Sequence, residues 1–528
     1  MPCHDTVGIA TLLLMLVFMT NLTACGDGGQ NTADGPEDSG GHSDVWTANT
    51  ADTTPDDAAD TGSLAVCSTP EAPMLDGQAL TVDGTRLRDS LGREVMLRGT
   101  NTGGRSKFPP YFPFPFAESG HPTQVDAPPF DTAMAIYLDR FVTWGHNVAR
   151  VPFSWEAVEP EHGRYDAMFV ARYRQFIEAL ALRGIRVIVD FHQDVFARPY
   201  CGDGFPLWAV PAPYPDPPPP EECSNWFLGY LNDARVHAAY DRFWTNDDGL
   251  QDDFIAMWRH MAQQLWGIDG LFAFEIINEP HFGTNSSDTW GEEVLAPFYT
   301  RVAAAIREEA PEALVVFDPT GLEAFGSSAE ISRPEGDGLI FGPHYYDPEV
   351  FIFGPTATIE PDPFMDDFQE RSIAWQVPLL VGEFGIKTGQ EGGAAYMRAN
   401  WDALDRYLFH GTVWEYATTV DDWNNEGFGL YRPDEGELPE VDEAIRAYPT
   451  AVSGTVVQFT FDRDARSGQL IFDAVPGITE IAAPERLYPE PPQVSIAGVD
   501  GCVAFDSLRG LLLIRTTQSG RATATFGP

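Results

Sequence analysis

Eight short apolar runs, separated by amphipathic segments, follow one another between about residues 78 and 420, and this alternation restricts the fold more than any other feature of the chain. Runs of this length are typical of strands buried on both faces of a parallel sheet. Eight strands with intervening helices predict an α/β fold, a (β/α)8 TIM barrel. The predicted strands are 95–97, 147–151, 186–191, 272–277, 314–317, 339–344, 378–384 and 411–416, and helical periodicity occurs over 172–182, 254–265, 297–308 and 395–408.

An open, doubly wound sheet is the alternative architecture for such a pattern. Sheets of that kind often bind a nucleotide through a glycine-rich loop, and neither GxGxxG nor GxxxxGK[ST] occurs in the sequence. The strand count therefore favours the barrel, and no cofactor is expected.

The ends of the chain differ in texture from its centre. We predict a signal peptide over residues 1–24, a flexible acidic linker over 25–63, the catalytic barrel over 64–448 and a small C-terminal β-sandwich over 449–528. In the last segment, residues 455–461, 469–472, 493–496 and 511–516 are short, mostly β-rich and separated by Gly, Pro or Asp. That pattern is typical of antiparallel strands.

The N-terminus has the pattern of a bacterial lipoprotein signal, an apolar run over residues 9–18 followed by Leu22-Thr23-Ala24-Cys25. Cleavage before Cys25 would leave that cysteine lipidated. We therefore expect an exported cell-envelope lipoprotein, at the outer membrane or cell surface, or a secreted protein. A plain secretory signal or an uncleaved anchor is the alternative, because no Lys or Arg precedes the apolar run.

Charge and composition restrict the partners. Residues 26–62 contain acidic residues, no Lys or Arg and a single aromatic residue, Trp46, so they cannot bury enough apolar surface to fold and are expected to act as a tether. Over the whole chain, 32 Lys and Arg against 79 Asp and Glu give a net charge of −47. A nucleic-acid partner is excluded, because nothing would neutralise its phosphates. We expect a monomer.

Cysteine usage predicts two disulfides. Export implies an oxidising compartment, and four cysteines remain when Cys3 and Cys25 are set aside from the six in the chain. Cys201 and Cys223 are the favoured pair, because both lie in one Pro-rich insertion. Cys67 with Cys502 follows by elimination and would join the start of the folded region to the C-terminal domain. Free buried thiols are the alternative.

Polar side chains end six of the eight predicted strands. These strand ends lie at the C-terminal end of the barrel, where enzymes with a TIM-barrel fold place their active sites. Taken singly, an Asn-Glu-Pro tripeptide can simply cap a helix, and a lone His or Trp is usually structural. Their conjunction on separate strands indicates an active site. The strand ends are Asn147-Val-Ala-Arg150, Asp190-Phe-His192-Gln193-Asp194, Glu275-Ile-Ile-Asn278-Glu279, His344-Tyr345-Tyr346, Glu383-Phe-Gly and Trp414-Glu415-Tyr416.

Glu279 and Glu383 fit the needs of glycoside cleavage, in which one carboxyl group protonates the leaving oxygen and a second attacks the anomeric carbon or activates water. We predict Glu279 as the general acid/base, with its pKa raised by the charge of Glu383 and by desolvation, and Glu383 as the nucleophile. A carboxyl separation of about 5 to 5.5 Å predicts retention, and one above about 6.5 Å would indicate inversion.

The other strand-end residues receive supporting roles. Arg150 and the hydroxyl of Tyr346 are expected to keep Glu383 ionised, and Asn278 to donate to the sugar 2-hydroxyl. Trp414 offers an apolar face to a sugar ring. His192, Asp194 and His344 are expected to complete the polar floor. No metal site is predicted, because no His and Cys residues have ligand spacing.

This set resembles the signature of family 5 glycoside hydrolases, the cellulase-like barrels of clan A: an Arg, a His, an Asn-Glu pair, a His-x-Tyr, a second Glu and a Trp. The resemblance covers roughly residues 80 to 420. The matching residues here are Arg150, His192, Asn278-Glu279, His344 with Tyr346, Glu383 and Trp414.

A narrower resemblance is to the endoglycoceramidases, which cleave the β-linkage between oligosaccharide and ceramide in glycosphingolipids. It implies that Lys107, in the first loop, helps to bind the sugar. The motifs that carry it are Leu97-Arg98-Gly99-Thr100-Asn101, Asp190-Phe-His192-Gln193-Asp194-Val195-Phe196, Cys201-Gly-Asp-Gly-Phe-Pro and Tyr448-Pro-Thr-Ala-Val-Ser-Gly454.

A lipid aglycone also needs an apolar channel beside the sugar site. We predict that aromatic residues and one leucine, which follow the first and third predicted strands, line this channel. The alternative is that the same residues pack the loops onto the barrel. Other family 5 β-glycosidases, acting on steryl glucoside, glucosylceramide or a β-glucan or mannan, are the alternative function. The wall residues are Phe108, Tyr111, Phe112, Phe114, Phe116, Phe205, Leu207, Trp208 and Trp226.

Overall fold

The computed structural model describes residues 65–67, 79–120, 126–213, 216–218, 222–287, 289–323, 331–355, 361–419 and 426–528. The predicted signal peptide, Cys25 and the acidic linker lie outside these residues. Within the described ranges, no helix is both long and apolar enough to cross a membrane.

Four short strands come first, and they belong to the C-terminal sheet: β1 (Ala65–Val66), β2 (Thr81–Asp83), β3 (Arg86–Arg88) and β4 (Glu94–Val95). The prediction of a first barrel strand at 95–97, and of a barrel that begins at 64, was therefore wrong. Val95 and Leu97 are buried because β3 and β4 cover the base of the barrel, where Leu87 and Val95 pack against Val148 and Ile188.

Eight parallel strands form the barrel, in the spatial order β10-β9-β8-β7-β6-β5-β14-β12. The ring is completed by parallel pairing of β11 with β13 and by the N–H of Phe341, which donates to the carbonyl of Pro378 at 2.9 Å. The eight strands are β5 (Arg98–Asn101), β6 (Val148–Phe153), β7 (Arg186–Phe191), β8 (Leu271–Glu275), β9 (Leu314–Phe317), β10 (Leu339–Phe341), β12 (Leu380–Val381) and β14 (His410–Val413). The short strands β11 (His344–Tyr345) and β13 (Glu383–Phe384) follow β10 and β12 along the chain. The predicted TIM-barrel fold is confirmed.

Helices surround the barrel, and the longer ones bury one apolar face. In the helix Ala167–Ala181, Asp166 caps the N-terminus by accepting the N–H groups of Met168 and Phe169, and the buried residues recur at helical spacing. The other helices are Phe130–Thr143, Trp155–Val158, Leu228–Asn232, Ala234–Trp244, Leu250–Leu265, Ala296–Glu309, Pro348–Phe353, Asp362–Trp375, Gly393–Tyr407 and Glu440–Ala444.

The C-terminal domain is built from two sheets that share one core. One is antiparallel with the order β18-β19-β24-β21, and the other has the order β1-β22-β23-β20-β17-β4-β3-β2. Phe459 and Phe472 of the first sheet and Ile481 and Leu512 of the second belong to the same buried cluster. The C-terminal strands are β17 (Pro449–Val452), β18 (Gly454–Asp462), β19 (Ser467–Ala474), β20 (Gly477–Ala482), β21 (Gln493–Ala497), β22 (Gly501–Asp506), β23 (Leu511–Thr516) and β24 (Gly520–Gly527). A separate two-stranded sheet of β15 (Tyr431–Arg432) and β16 (Gly436–Glu437) precedes them.

The structure contains the two disulfides that the sequence favoured, Cys67–Cys502 and Cys201–Cys223. The first joins the segment of β1 to β22, so that the start of the described chain is tied to the C-terminal sheet. The second closes the Pro-rich insertion that follows β7.

A buried ionic cluster joins the barrel to the chain that leads into the C-terminal domain. Asp405 accepts from Arg98 of β5 at 3.0 Å and from Arg446 at 2.8 Å, and all three side chains are at most 4% exposed. The removal of one partner from such a cluster leaves the others charged and buried without compensation.

We predict that Asp405→Asn lowers the free energy of unfolding by about 3 to 5 kcal/mol. Asp402→Asn is the matched control, since Asp402 also binds Arg446, at 2.6 Å, but is 45% exposed. That control is expected to change stability by less than about 1 kcal/mol. Denaturant unfolding of both variants tests this, and equal losses would contradict it.

Candidate active site

The guanidinium of Arg150 lies at the centre of the strand ends, with none of its side chain exposed to solvent. It donates to the carboxylate of Glu275 at 2.6 Å and to that of Glu383 at 2.6 Å. A single cation thereby connects β6, β8 and β13. Its further contacts are with Asn101 Oδ1 at 2.9 Å, Asn278 Oδ1 at 2.8 Å and Asp190 Oδ2 at 3.1 Å.

Glu383 is held as a carboxylate from two sides. One oxygen accepts from Arg150, and the other accepts from the hydroxyl of Tyr346 at 2.8 Å. Burial opposes its ionisation, but the positive charges of His344 and Arg150 outweigh burial and lower the pKa of Glu383. These are the contacts that the sequence analysis expected for a nucleophile.

Glu279 has the opposite electrostatic environment. Burial raises its pKa, the negative charges of Glu383 and Asp194 raise it further, and the hydrogen bond to His344 opposes them without reversing the shift. A raised pKa favours the protonated form that a general acid needs. Glu279 also lies in the left-handed backbone region, with φ of 40°.

His344 lies between the two glutamates. Its Nδ1 is 2.8 Å from Oε1 of Glu279 and 3.7 Å from Oε2 of Glu383, and strand pairing aligns His344 with Glu383 directly. One carboxyl oxygen of each glutamate and a nitrogen of His344 lie within 4.8 Å of one another. The closest carboxyl oxygens are therefore nearer than the roughly 6.5 to 9.5 Å that leaves room for water in inverting enzymes.

The predicted sugar-binding residues form a second group beside this pair. His192 Nδ1 lies 2.8 Å from Asp190, and the ring of His192 stacks on Trp414 with centroids 5.0 Å apart. Lys107 donates to Asp194 at 2.5 Å and lies 4.5 Å from the ring centroid of Trp414. Lys107 and Trp414 are both about 2% exposed, so this group forms a floor and not a surface patch.

Asn278 is fixed by two contacts. Its Oδ1 accepts from Arg150, and its Nδ2 donates to the backbone carbonyl of Gln193 at 3.1 Å. The amide nitrogen carries a second hydrogen, so the orientation is compatible with donation to a sugar hydroxyl.

Burial lowers the pKa of His192, but the carboxylates of Asp190 and Asp194 outweigh it and raise that pKa to about 10. The side chain is therefore a cation at neutral pH. With Lys107, it gives this part of the floor two positive charges that neutralise buried acids.

Sequence reasoning gave no role to several buried acids that the structure brings here. Glu275 and Asp190 bind Arg150, and Asp318, at the end of β9, lies 3.7 Å from Nε2 of His344. Burial and the charge of Glu275 raise the pKa of Asp318 well above its usual range. The sequence could have indicated a role for Glu275 and Asp190, because a charged residue inside an apolar strand needs a buried partner.

Glu426 and Asp203 lie beyond Lys107 and were also missed. Glu426 Oε1 is 3.5 Å from Nζ of Lys107, and burial with the nearby charges of Asp194 and Glu383, against that of Lys107, raises its pKa to about 7. Asp203 is fully buried, and burial with the charge of Asp194 raises its pKa. Both residues lie in loops, where periodicity gives no signal.

The loop that carries Lys107 is anchored to the segment that follows β14. The carboxylate of Glu415 accepts the N–H of Gly104, at the start of the short 3-10 helix Gly104–Lys107. Gly103 has no room for a side chain, since a Cβ there would lie 2.0 Å from the same carboxylate. The contact holds Lys107 beside Trp414.

Five of the nine residues predicted to line an apolar channel are buried instead. Phe112, Phe114 and Phe116 are at most 2% exposed and pack against the helices Phe130–Thr143 and Ala167–Ala181, and Phe205 is buried against Phe196 and Phe254. These four pack loops onto the barrel, as does Phe108, which is 6% exposed under Arg105. The partly exposed members are Tyr111, Leu207, Trp208 and Trp226.

Three groups of described residues bring possible metal-ligand atoms within 4.8 Å: His192, Asp194 and Asp203; Glu275, Asp318 and His344; and Glu279, His344 and Glu383. Among these acids Asp203 alone has no hydrogen-bond partner for its carboxyl oxygens within the described part of the chain, and the others bind a protein cation or accept a hydrogen bond. Lys107 binds Asp194, Arg150 binds Glu275 and Glu383, and His344 binds Glu279. We assign no metal role to them.

Sequence comparison matches two family profiles. Residues 113–419 match the family described as Cellulase (glycosyl hydrolase family 5), and residues 446–525 match the glycoside hydrolase family 5 C-terminal domain. Among curated proteins, an endoglycoceramidase of Cyanea nozakii is 26% identical over 458 residues, which cover 78% of this chain and 85% of that protein. A glucosylceramidase of Rhizopus delemar is 30% identical over 243 residues, or 38% of this chain and 35% of that protein.

Among solved structures, endo-glycoceramidase II from Rhodococcus sp. in complex with ganglioside GM3 superposes with a TM-score of 0.69 at 25% identity. The alignment covers 84% of this chain and 100% of that chain. The same protein as a lactosyl-enzyme intermediate gives a TM-score of 0.67 at 26% identity, covering 84% of this chain and 99% of that chain.

The opposite pKa shifts predict a bell-shaped pH dependence of kcat/KM for any reaction that needs Glu383 ionised and Glu279 protonated. Activity should rise with pH through the lowered pKa of Glu383 and fall through the raised pKa of Glu279. An aryl β-glycoside provides the measurement.

Two variants test which residue causes the fall of kcat/KM at alkaline pH, the alkaline limb of the profile. Glu279→Gln should remove it from the residual activity on an activated substrate, because no acid remains to titrate. Glu426→Gln should leave it in place, although the pKa of Glu426 is about 7. A limb that disappears with Glu426 and survives the loss of Glu279 would contradict the assignment.

Proposed function

Because the chain belongs to glycosyl hydrolase family 5, we propose that it is a retaining endo-β-glycosidase that hydrolyses the bond between the oligosaccharide and the ceramide of glycosphingolipids. One observation carries the substrate: the similarity to proteins named endoglycoceramidase spans both the barrel and the C-terminal domain. It reaches 100% of the length of the Rhodococcus structure solved with ganglioside GM3.

In the first step, an oxygen of Glu383 attacks the anomeric carbon and the bond to the ceramide oxygen breaks. Glu279 transfers its proton to that oxygen, so ceramide leaves as a neutral alcohol and the sugar remains as an ester of Glu383. Arg150 and Tyr346 support this step, because they stabilise the carboxylate before attack without occupying both lone pairs of either oxygen.

In the second step, Glu279 is a carboxylate and takes a proton from water, whose oxygen attacks the same carbon. The ester breaks, Glu383 returns as a carboxylate, and the oligosaccharide leaves with retained configuration. His344 supports the change of role, because it lies 2.8 Å from Glu279 and 3.7 Å from Glu383 and, when protonated, can stabilise a negative charge on either carboxylate. Burial lowers the pKa of His344, but the charges of Glu383 and Glu279 outweigh burial and raise it.

The polar floor supports an oligosaccharide in preference to a single glucose. Lys107 lies between Trp414, at 4.5 Å, and the partly exposed Trp226, at 5.7 Å, and it pairs with Asp194 and Glu426. Aromatic faces with adjacent hydrogen-bonding groups are suited to sugar rings. This part of the site extends from the glutamates toward the insertion after β7, where a second sugar would lie.

Cleavage of glucosylceramide is the second candidate. It is favoured by the 30% identity to the Rhizopus delemar glucosylceramidase, although that match covers only 38% of this chain. The two candidates differ in whether the enzyme accepts a sugar beyond the glucose attached to ceramide.

We expect purified protein to release intact oligosaccharide and ceramide from ganglioside GM3 and from lactosylceramide. Mass spectrometry of the released glycan and of the ceramide measures this. Release from glucosylceramide alone would favour the second candidate, and activity only on β-glucan or mannan would contradict both.

Glu383→Gln should lower turnover by roughly 10⁴-fold or more while the fold is kept, since the amide cannot form the ester intermediate. Arg150 keeps Asp190 and Glu275 as partners in this variant, so the fold should be retained, and circular dichroism checks that it is. Near-normal activity in this variant would remove the nucleophile assignment.

The proposal includes export and lipid attachment at Cys25, which the Leu-Thr-Ala-Cys sequence supports. An enzyme tethered at a membrane would meet amphiphilic substrates there. In a bacterial host, the full chain is expected to incorporate radiolabelled palmitate and to fractionate with membranes. Cys25→Ser should incorporate none, and equal labelling of that variant would contradict the assignment.

A further inference from the structure

Gln193 lies in the sequence between the two predicted sugar-binding residues His192 and Asp194. Its side chain is completely buried. Its Nε2 donates to the backbone carbonyl of Asn278 at 2.8 Å and to that of Glu279 at 3.0 Å. A single amide group therefore binds the backbone of both residues of the Asn-Glu pair.

The orientation of this amide is determined by its other end. Oε1 of Gln193 accepts from the N–H of Phe196 at 3.1 Å and from the hydroxyl of Tyr240. Rotation of the amide by 180° would place its oxygen against two carbonyl oxygens and its nitrogen against an N–H group. The hydrogen-bonding partners thus allow one orientation, in which both N–H groups face the carbonyls.

The backbone that Gln193 binds is strained. Glu279 has a φ of 40°, in the left-handed region that residues other than glycine rarely adopt. Such backbone strain persists only where the surrounding structure imposes it. On the other side, Oδ2 of Asp318 accepts the N–H of Glu279 at 3.4 Å. The peptide groups on both sides of the strained residue are therefore held by buried side chains.

Space around the carboxyl group is restricted in the same way. A Cβ at Gly321 would lie 3.0 Å from Oε2 of Glu279, and His344 binds Oε1 at 2.8 Å. A change in φ of Glu279 would swing its carboxyl group away from His344 or into Gly321. The direction of the carboxyl group thus depends on the backbone that Gln193 holds.

We propose that Gln193 is a positioning residue, which fixes the strained backbone of Glu279 so that its carboxyl group is aimed at the leaving oxygen. This inference rests on the role of Glu279 as acid/base given above. A displacement of about 1 Å in a catalytic group can cost roughly 10²-fold in rate. The loss should fall on proton transfer and not on binding or nucleophilic attack.

Leaving groups of different basicity test this directly. In Gln193→Met, kcat/KM for an alkyl β-lactoside, whose leaving group needs a proton, should fall about 10- to 100-fold. For the 2,4-dinitrophenyl β-lactoside, whose leaving group departs without a proton, it should change by less than about threefold. Azide should raise kcat of the variant on the dinitrophenyl substrate and give a glycosyl azide, because an anion needs no general base.

Gln251→Met is the matched control for the loss of a buried glutamine. Gln251 is 2% exposed and binds Arg301 on the outer helix Ala296–Glu309. It should leave the ratio of the two kcat/KM values unchanged. Gln193→Glu keeps the size of the side chain but carries a carboxylate without N–H donors, so it should shift the ratio in the same direction as Gln193→Met.

An equal loss on both substrates in the Gln193 variants, or no loss, would overturn the proposal. A crystal structure of Gln193→Met gives a second test that does not use activity. We expect the φ of Glu279 to leave 40° or its carboxyl group to leave His344, and an unchanged Glu279 would also overturn the proposal. If the unsubstituted protein cleaves no β-glycoside, the proposed function fails, and the crystal structure still decides the role of Gln193.

Discussion

The ion pairs of Arg150 are the interaction on which the rest of the site depends. Its guanidinium is wholly buried and balances the negative charges of carboxylates on three other strands, those of Asp190, Glu275 and Glu383. Each of these acids would be costly to bury alone. Because the strands of a barrel converge at one end, a single cation can pair with all three acids, and it lowers the pKa of the buried Glu383.

The same network explains how two glutamates acquire opposite chemistry. Glu383 lies on the side of Arg150 and Tyr346, while Glu279 faces the negative charges of Glu383 and Asp194. Burial acts to raise the pKa of both glutamates. Neighbouring charges therefore decide that the net shift is downward for Glu383 and upward for Glu279. The two shifts differ in direction because Glu383 contacts Arg150, whereas Glu279, in the segment after β8, has His344 as its charged hydrogen-bond partner.

The parts of this arrangement that the sequence predicted are those that depend on periodicity. The apolar runs identified the barrel strands to within a few residues, and the polar residues that ended them included both glutamates, Arg150 and Tyr346. The first strand was misplaced, because β4 and β5 follow each other with only Met96 and Leu97 between them and both are buried. Apolar sequence alone cannot assign neighbouring strands to different sheets.

The loops were predicted least well, for a physical reason. An aromatic residue such as Phe112 or Trp226 faces either a ligand or the core, depending on the conformation of its loop. Local sequence periodicity does not predict that conformation. Phe112 packs on Phe130 and Phe169, whereas Trp226 remains partly exposed near Lys107. The loop residues that reach the floor are held there by contacts distant in sequence, as Glu415 holds the segment of Lys107. The two glutamates therefore lie in or directly after strands, where the sequence pattern locates them, whereas the fit to a particular glycan and lipid depends on loops whose positions are fixed by contacts distant in sequence.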